Sequence, residues 1–183
     1  MQETNKSKNL LAILISLALA LVLSLVFGGL FSGRIKNMEE DRFKAAIDTA
    51  AQGNMGAEDI TPQGEKGVKV YLVKSGTGGE DSYLVLSAAK SHGCQVESLV
   101  AFSYDGVISS VQLLSVKGGS FNAKALIEKS GMLAGFGGAS IENESLAVNR
   151  VEGTNGCDEA VVKSVNKAIQ TLKALISQEE VSE

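Results

Sequence analysis

The sequence predicts an α+β protein: a single N-terminal transmembrane helix, then a small antiparallel sheet domain with flanking helices. Three observations predict it. Residues 10–31 form an uncharged run of 22 residues with only two serines and two glycines. From Val68 the chain alternates β-branched and aromatic segments with glycine turns, which suits strands. From Asp158 to Ser177 apolar residues recur with the period of a helix that buries one face.

In chain order, residues 1–9 are a polar tail. At 1.5 Å per residue, the run 10–31 spans roughly 30 Å, the thickness of a bilayer core. It exceeds the apolar region of a signal peptide, and Phe31-Ser-Gly-Arg34 is a poor cleavage site. Lys6 and Lys8 on one side balance Arg34 and Lys36 on the other, so charge alone leaves the orientation even. The short N-terminal tail favours an N-terminus inside. The expected placement is single-pass in the cell's inner (cytoplasmic) membrane, with the C-terminal domain on the outer face.

Residues 34–67 read as a stalk helix and a linker. Phe43, Ala46, Ile47 and Ala50 make one narrow apolar stripe, and Gly53 to Gly67 contains the only proline. The domain proper is expected over 68–177. Its strands are Val68–Lys74, Tyr83–Ala89, Gln95–Ser103 and Val107–Val116, with Ser91-His-Gly-Cys94 interrupting between the second and third. Asp105-Gly106 is a hairpin signal, because glycine readily supplies a positive φ. Lys117-Gly-Gly119 ends the fourth strand. Phe121–Ser130 reads as a short helix closed by Gly131. Met132–Gly138 is glycine-rich but lacks the phosphate-loop pattern, and reads as a tight connection. Residues 178–183 are an acidic tail.

Composition excludes some functions. A formal net charge of −4, the absence of tryptophan and the lack of a basic patch argue against nucleic acid. Cys94 and Cys157 lack metal-ligand spacing; they pair if the domain faces an oxidising compartment, or stay as two buried thiols. One histidine, His92, rules out histidine metal clusters and reads as a surface turn residue. The most suggestive stretch is Asn149-Arg-Val-Glu-Gly-Thr-Asn-Gly-Cys157, which runs into the last helix. Such a corner offers free backbone amides and the positive end of a helix dipole, which suits an anion. Asp158 and Glu159 in the first helical turn suit the dipole themselves and would repel a phosphate beside them.

Two stretches, together with the position of the N-terminal anchor, carry a resemblance. Ser91 to Ser115 is similar to the glycine turn, strand, Asp-Gly hairpin and following strand of the FMN-binding domain family, as found in the flavin-carrying proteins of the Rnf and Nqr electron-transport complexes. Asn149 to Val161 resembles the Asp-x-x-Ser-Gly-Ala-Thr loop and helix of that family. The resemblance implies a membrane-anchored electron-transfer subunit, FMN as cofactor, and other membrane subunits of an electron-transport complex as partners. It places the cofactor at Gly153, Thr154, Asn155, Gly156 and Cys157. Aligned on Gly153, the threonine that carries FMN in the family is Asn155, whose amide cannot form the phosphoester. Thr154 takes that role only if the loop slips by one residue. The alternative is a degenerate, non-flavinylated domain with a structural or partner- or ligand-binding role.

Overall fold

Five antiparallel strands lie side by side in simple sequence order, β1-β2-β3-β4-β5. They are β1 (Ala57–Asp59), β2 (Val68–Val73), β3 (Ser82–Ser91), β4 (Cys94–Ser103) and β5 (Ile108–Lys117). Two α-helices follow, α1 (Ala123–Lys129) and α2 (Cys157–Val181), with a 3-10 turn at Ala134–Phe136 between them. This is a computed structural model, and it describes residues 45–46, 56–62, 67–75, 80–143, 145–147 and 149–181. All but the first pair belong to one compact unit, residues 47–183.

Local chemistry explains the hairpins. β3 and β4 pair through Ser91↔Cys94, so His92 and Gly93 form a two-residue turn. Both have positive φ, 47° and 79°, which lets a two-residue loop follow the strand twist. The expected break at Ser91–Cys94 is therefore a tight hairpin. The β4–β5 turn falls at Asp105-Gly106 as expected, closed by Ser103 N–H to Val107 O at 2.8 Å. The Ser103 hydroxyl donates to the Asp105 carboxylate and fixes the turn from the side.

One face of the sheet packs against α2. Cys157, Ala160, Val161, Ser164, Val165, Ala168, Ile169 and Leu172 are buried on the helix, spaced by three and four residues. Opposite them lie Val70, Val85, Val96, Val100 and Phe102, all fully buried. Small residues bring the layers close together. Ser87 and Ser98 are register partners, and both hydroxyls reach Ser164 Oγ, at 2.8 Å and 2.7 Å. Ser87 also donates to Ser164 O, and Ser164 to Ser87 O, so this buried polar knot is satisfied. Val73, Leu84 and Leu99 are buried on the other face of the sheet.

Several expectations need correction. The linker expected over 53–67 contains β1, which pairs with β2 through Ala57↔Val73 to Asp59↔Tyr71. The last helix continues to Val181, so most of the expected acidic tail is helical. For the described residues of the compact unit 47–183, the fold class is corrected to a five-stranded antiparallel sheet with two α-helices. Among the described residues no helix is long and apolar enough to cross a membrane. The one long helix, α2, is two-faced: Lys163, Lys167 and Lys173 interrupt it, as a surface helix requires. The transmembrane helix expected over 10–31 lies outside the described residues, as does the stalk helix apart from Ala45 and Ala46. The inner-membrane placement drawn from that helix is corrected with it, since no element of the described fold supports it.

Candidate functional site

The loop from Asn149 to Gly156 turns three times through left-handed backbone. Gly153, Asn155 and Gly156 have φ of 78°, 51° and 84°. These positions curl the chain so that Cys157, the first residue of α2, lands on Cys94, the first residue of β4. The two sulfurs form a disulfide with a Cα–Cα distance of 5.2 Å, and both residues are fully buried. Of the two alternatives for the cysteines, pairing is the one found. The staple holds the β3–β4 turn against the start of the helix. A Cβ on Gly156 would sit 2.7 Å from His92 Cβ, so glycine is needed for the turn and the loop to meet.

The five expected cofactor residues are therefore contiguous in space, but they do not act as one site. Gly153 and Asn155 are exposed and Gly156 is half-buried. Thr154 is only 1% exposed. Its hydroxyl donates to Val151 O at 2.9 Å and lies within reach of the Asp158 carboxylate. Cys157 is committed to the disulfide.

Asp158 occupies the place an anion would want. It is 6% exposed, and its Oδ2 accepts the Val151 amide at 3.1 Å. Burial pulls its pKa up. Hydrogen bonds from the Val151 and Glu159 amides and from Thr154 outweigh that, helped by Arg150, and hold it below the ordinary 3.8. The folded protein thus binds this proton less tightly than the unfolded chain. The stabilisation is complete above the unfolded value near 3.8 and is lost as pH falls through the lowered folded value. Asp158→Asn is accordingly expected to lower stability at neutral pH. Its difference from the natural protein should shrink as the medium is acidified into that window. Urea midpoints measured against pH check this; a gap that stays constant down to the acid limit would dissociate Asp158 from the effect.

Beside the loop, an open pocket of about 560 Å3 is lined by His92, Arg150 to Gly156, Asp158 and Glu159. Glu159 is its electrostatic centre. Its carboxylate meets Lys163 Nζ at 3.0 Å, His92 Nδ1 at 3.1 Å and Arg150 Nη2 at 3.9 Å. Lys163 foremost, then His92, keeps the Glu159 carboxyl below its ordinary value. Lys163 also donates to Ser91 Oγ at 3.0 Å, and Ser91 Oγ lies 3.1 Å from His92 Nδ1. Serine, histidine and glutamate are thus adjacent, yet they do not form a nucleophilic triad. In a triad the acid and the serine meet different ring nitrogens. Here both meet Nδ1. Among the described residues no group of three or more metal-ligating side chains is arranged to hold a metal ion.

The residues present do not fit FMN in the manner the resemblance implies. Asn155 has no hydroxyl, and the slipped-register acceptor, Thr154, is buried with its hydroxyl engaged. A carboxylate rather than a phosphate takes the Val151 amide. Glu152, Asp158 and Glu159 add three negative charges to the pocket wall. The flavoprotein and Rnf-complex expectation is corrected on these grounds.

Sequence reasoning missed the cluster of Ser91, Arg150, Glu159 and Lys163. The Glu159–Lys163 spacing of four was a legible sign of an ion pair. The approach of Ser91 and His92 depends on the disulfide, which spacing alone left open. No protein-family model matches this chain, and no curated protein matches it.

Proposed function

We propose that this is a disulfide-stapled domain of FMN-binding-like architecture that carries no covalent flavin and acts by binding a partner or ligand. The observation that carries this reading is the self-satisfied loop. Thr154 is buried with its hydroxyl committed, and Asp158 accepts the Val151 amide. A loop built to hold a phosphate leaves its amides free for the ligand; this one spends an amide on its own side chain. The exposed rim is polar and mixed in charge, with Arg150, Glu152 and Asn155 on the loop and His92 on the adjoining turn. Residues held on a rigid, stapled frame and exposed in this way suit recognition.

The test is to produce the chain in cells with an intact flavin-attachment system and to purify it. The expected product is colourless, with no yellow fluorescence in a denaturing gel and no quenching of FMN on titration. Fluorescence that survives denaturation would overturn the reading. If it appeared, Thr154→Ala would show whether the slipped register carries the bond.

A further inference from the structure

We propose that the end of the sheet at the β3–β4 turn is a binding site for a phosphate group. The site is separate from the 149–156 loop and does not depend on what that loop binds; the two pockets share only His92. An open pocket of about 520 Å3 lies there, lined by residues 90–95 on one side and by Lys117 and Gly118 on the other. Strand register builds it. Lys90 pairs with Gln95, and Gln95 with Lys117, so one row across three strands reads lysine, glutamine, lysine. Paired residues share a face of the sheet. Here it is the face turned away from α2, since the next residue, Val96, is buried under the helix. Two strand spacings, about 10 Å, separate the two lysine backbones, so both ammonium groups can reach one point above Gln95.

The charge here runs against that of the chain. The formal net charge is −4, yet no carboxylate lines this pocket. Glu97 stands in the next row of the same face, between Ala88 and Ser115. Glu159, on the other side of the turn, is taken up by Lys163 and His92. Lys90 is exposed and forms no ion pair among the described residues. Like charges brought to one spot repel each other, and an anion between them relieves that repulsion.

Neutral donors line the same pocket. The His92 and Gly93 amides of the turn, and the Gly118 amide, donate to no group among the described residues. A Cβ on Gly118 would lie 2.3 Å from Gly93 O, so only glycine lets these two backbones meet. Gln95 adds a carboxamide NH2. The donor set selects the ligand. A carboxylate brings one charge and two oxygens, fewer than two ammonium groups and several N–H groups can use. A phosphate group brings up to two charges and more acceptor oxygens, and lysine serves it as a point charge.

The test titrates inorganic phosphate and glycerol phosphate into the full chain by calorimetry, at constant ionic strength set with chloride. Saturable binding is expected. Lys90→Gln and Lys117→Gln should each weaken it about fivefold or more, since each removes one charged donor. Both lysines are exposed, so the fold should stay intact, which circular dichroism checks. Lys124→Gln, the same charge change on α1, should leave the affinity as it was. Amide shifts in an NMR titration should centre on residues 90–95 and 117–118. Tighter binding of the ester would identify a phosphate carried on a larger molecule, and binding of phosphate at least as tight as the ester would identify the free anion. Binding that does not saturate, that survives both lysine changes, or that falls as much in Lys124→Gln would overturn the proposal. So would shifts confined to residues 149–159.

Discussion

Replacing Cys94 and Cys157 together by alanine is expected to remove about 4 kcal/mol of stability, from the loop-closure entropy of a cross-link spanning 63 residues. For a domain of this size the melting temperature should fall by roughly 10–20 °C. The same drop should follow from reductant strong enough to open a fully buried bond. The size of the effect comes from the unfolded chain, which is much freer without the cross-link. A second consequence lies in the folded state. The staple is the covalent tie between the β3–β4 turn and the start of α2. Without it, the Glu159 contacts to His92 and Arg150 depend on exposed ion pairs, which contribute little on their own. The double variant should therefore show faster amide exchange at 149–157 than in the β3–β4–α2 core. Urea unfolding and hydrogen exchange measure the two effects separately. A stability loss below about 1 kcal/mol would mean that the reduced, unfolded chain already holds these ends together.

The layered core was legible because its signals are periodic. The α2 stripe from Val161 to Leu172 and the Asp105-Gly106 hairpin both fall where spacing and turn chemistry place them. β1 escaped notice because Ala57-Glu58-Asp59 is short and acidic, the opposite of a strand signature, and takes its ladder from β2. The His92-Gly93 turn was hidden for a related reason. Positive φ is uncommon for any residue but glycine, and only the full pairing of Ser82–Ser91 with Cys94–Ser103 makes the turn obligatory. At the candidate site the glycines and the helix start were readable, but their use was not. Whether an N-terminal carboxylate repels a ligand or replaces it depends on where it points. Asp158 points back to Val151. Sequence spacing carries no information about that direction.

Gly119→Ala is expected to cost about 3 kcal/mol or more, combining left-handed strain with overpacking. Gly119 has φ of 71°, and a Cβ there would lie 2.2 Å from Cys157 Sγ and 3.0 Å from Thr154 O. Cys157 Sγ cannot swing aside, because it is bonded to Cys94. The Lys117-Gly-Gly119 segment is therefore more than the end of a strand: it is the lid over the disulfide. The two contributions can be separated by a double-mutant cycle. With Cys94 and Cys157 replaced by alanine, the sulfur clash disappears while the φ of Gly119 is unchanged. In that background Gly119→Ala should cost less, about 1–2 kcal/mol for a left-handed alanine together with the remaining approach to Thr154 O. The difference between the two backgrounds measures the contact with the sulfur. Equal costs in both would assign the effect to backbone strain and the Thr154 O contact, leaving the close approach to Cys157 without energetic weight. A larger cost in the natural background would show that the glycine is required by the disulfide beneath it.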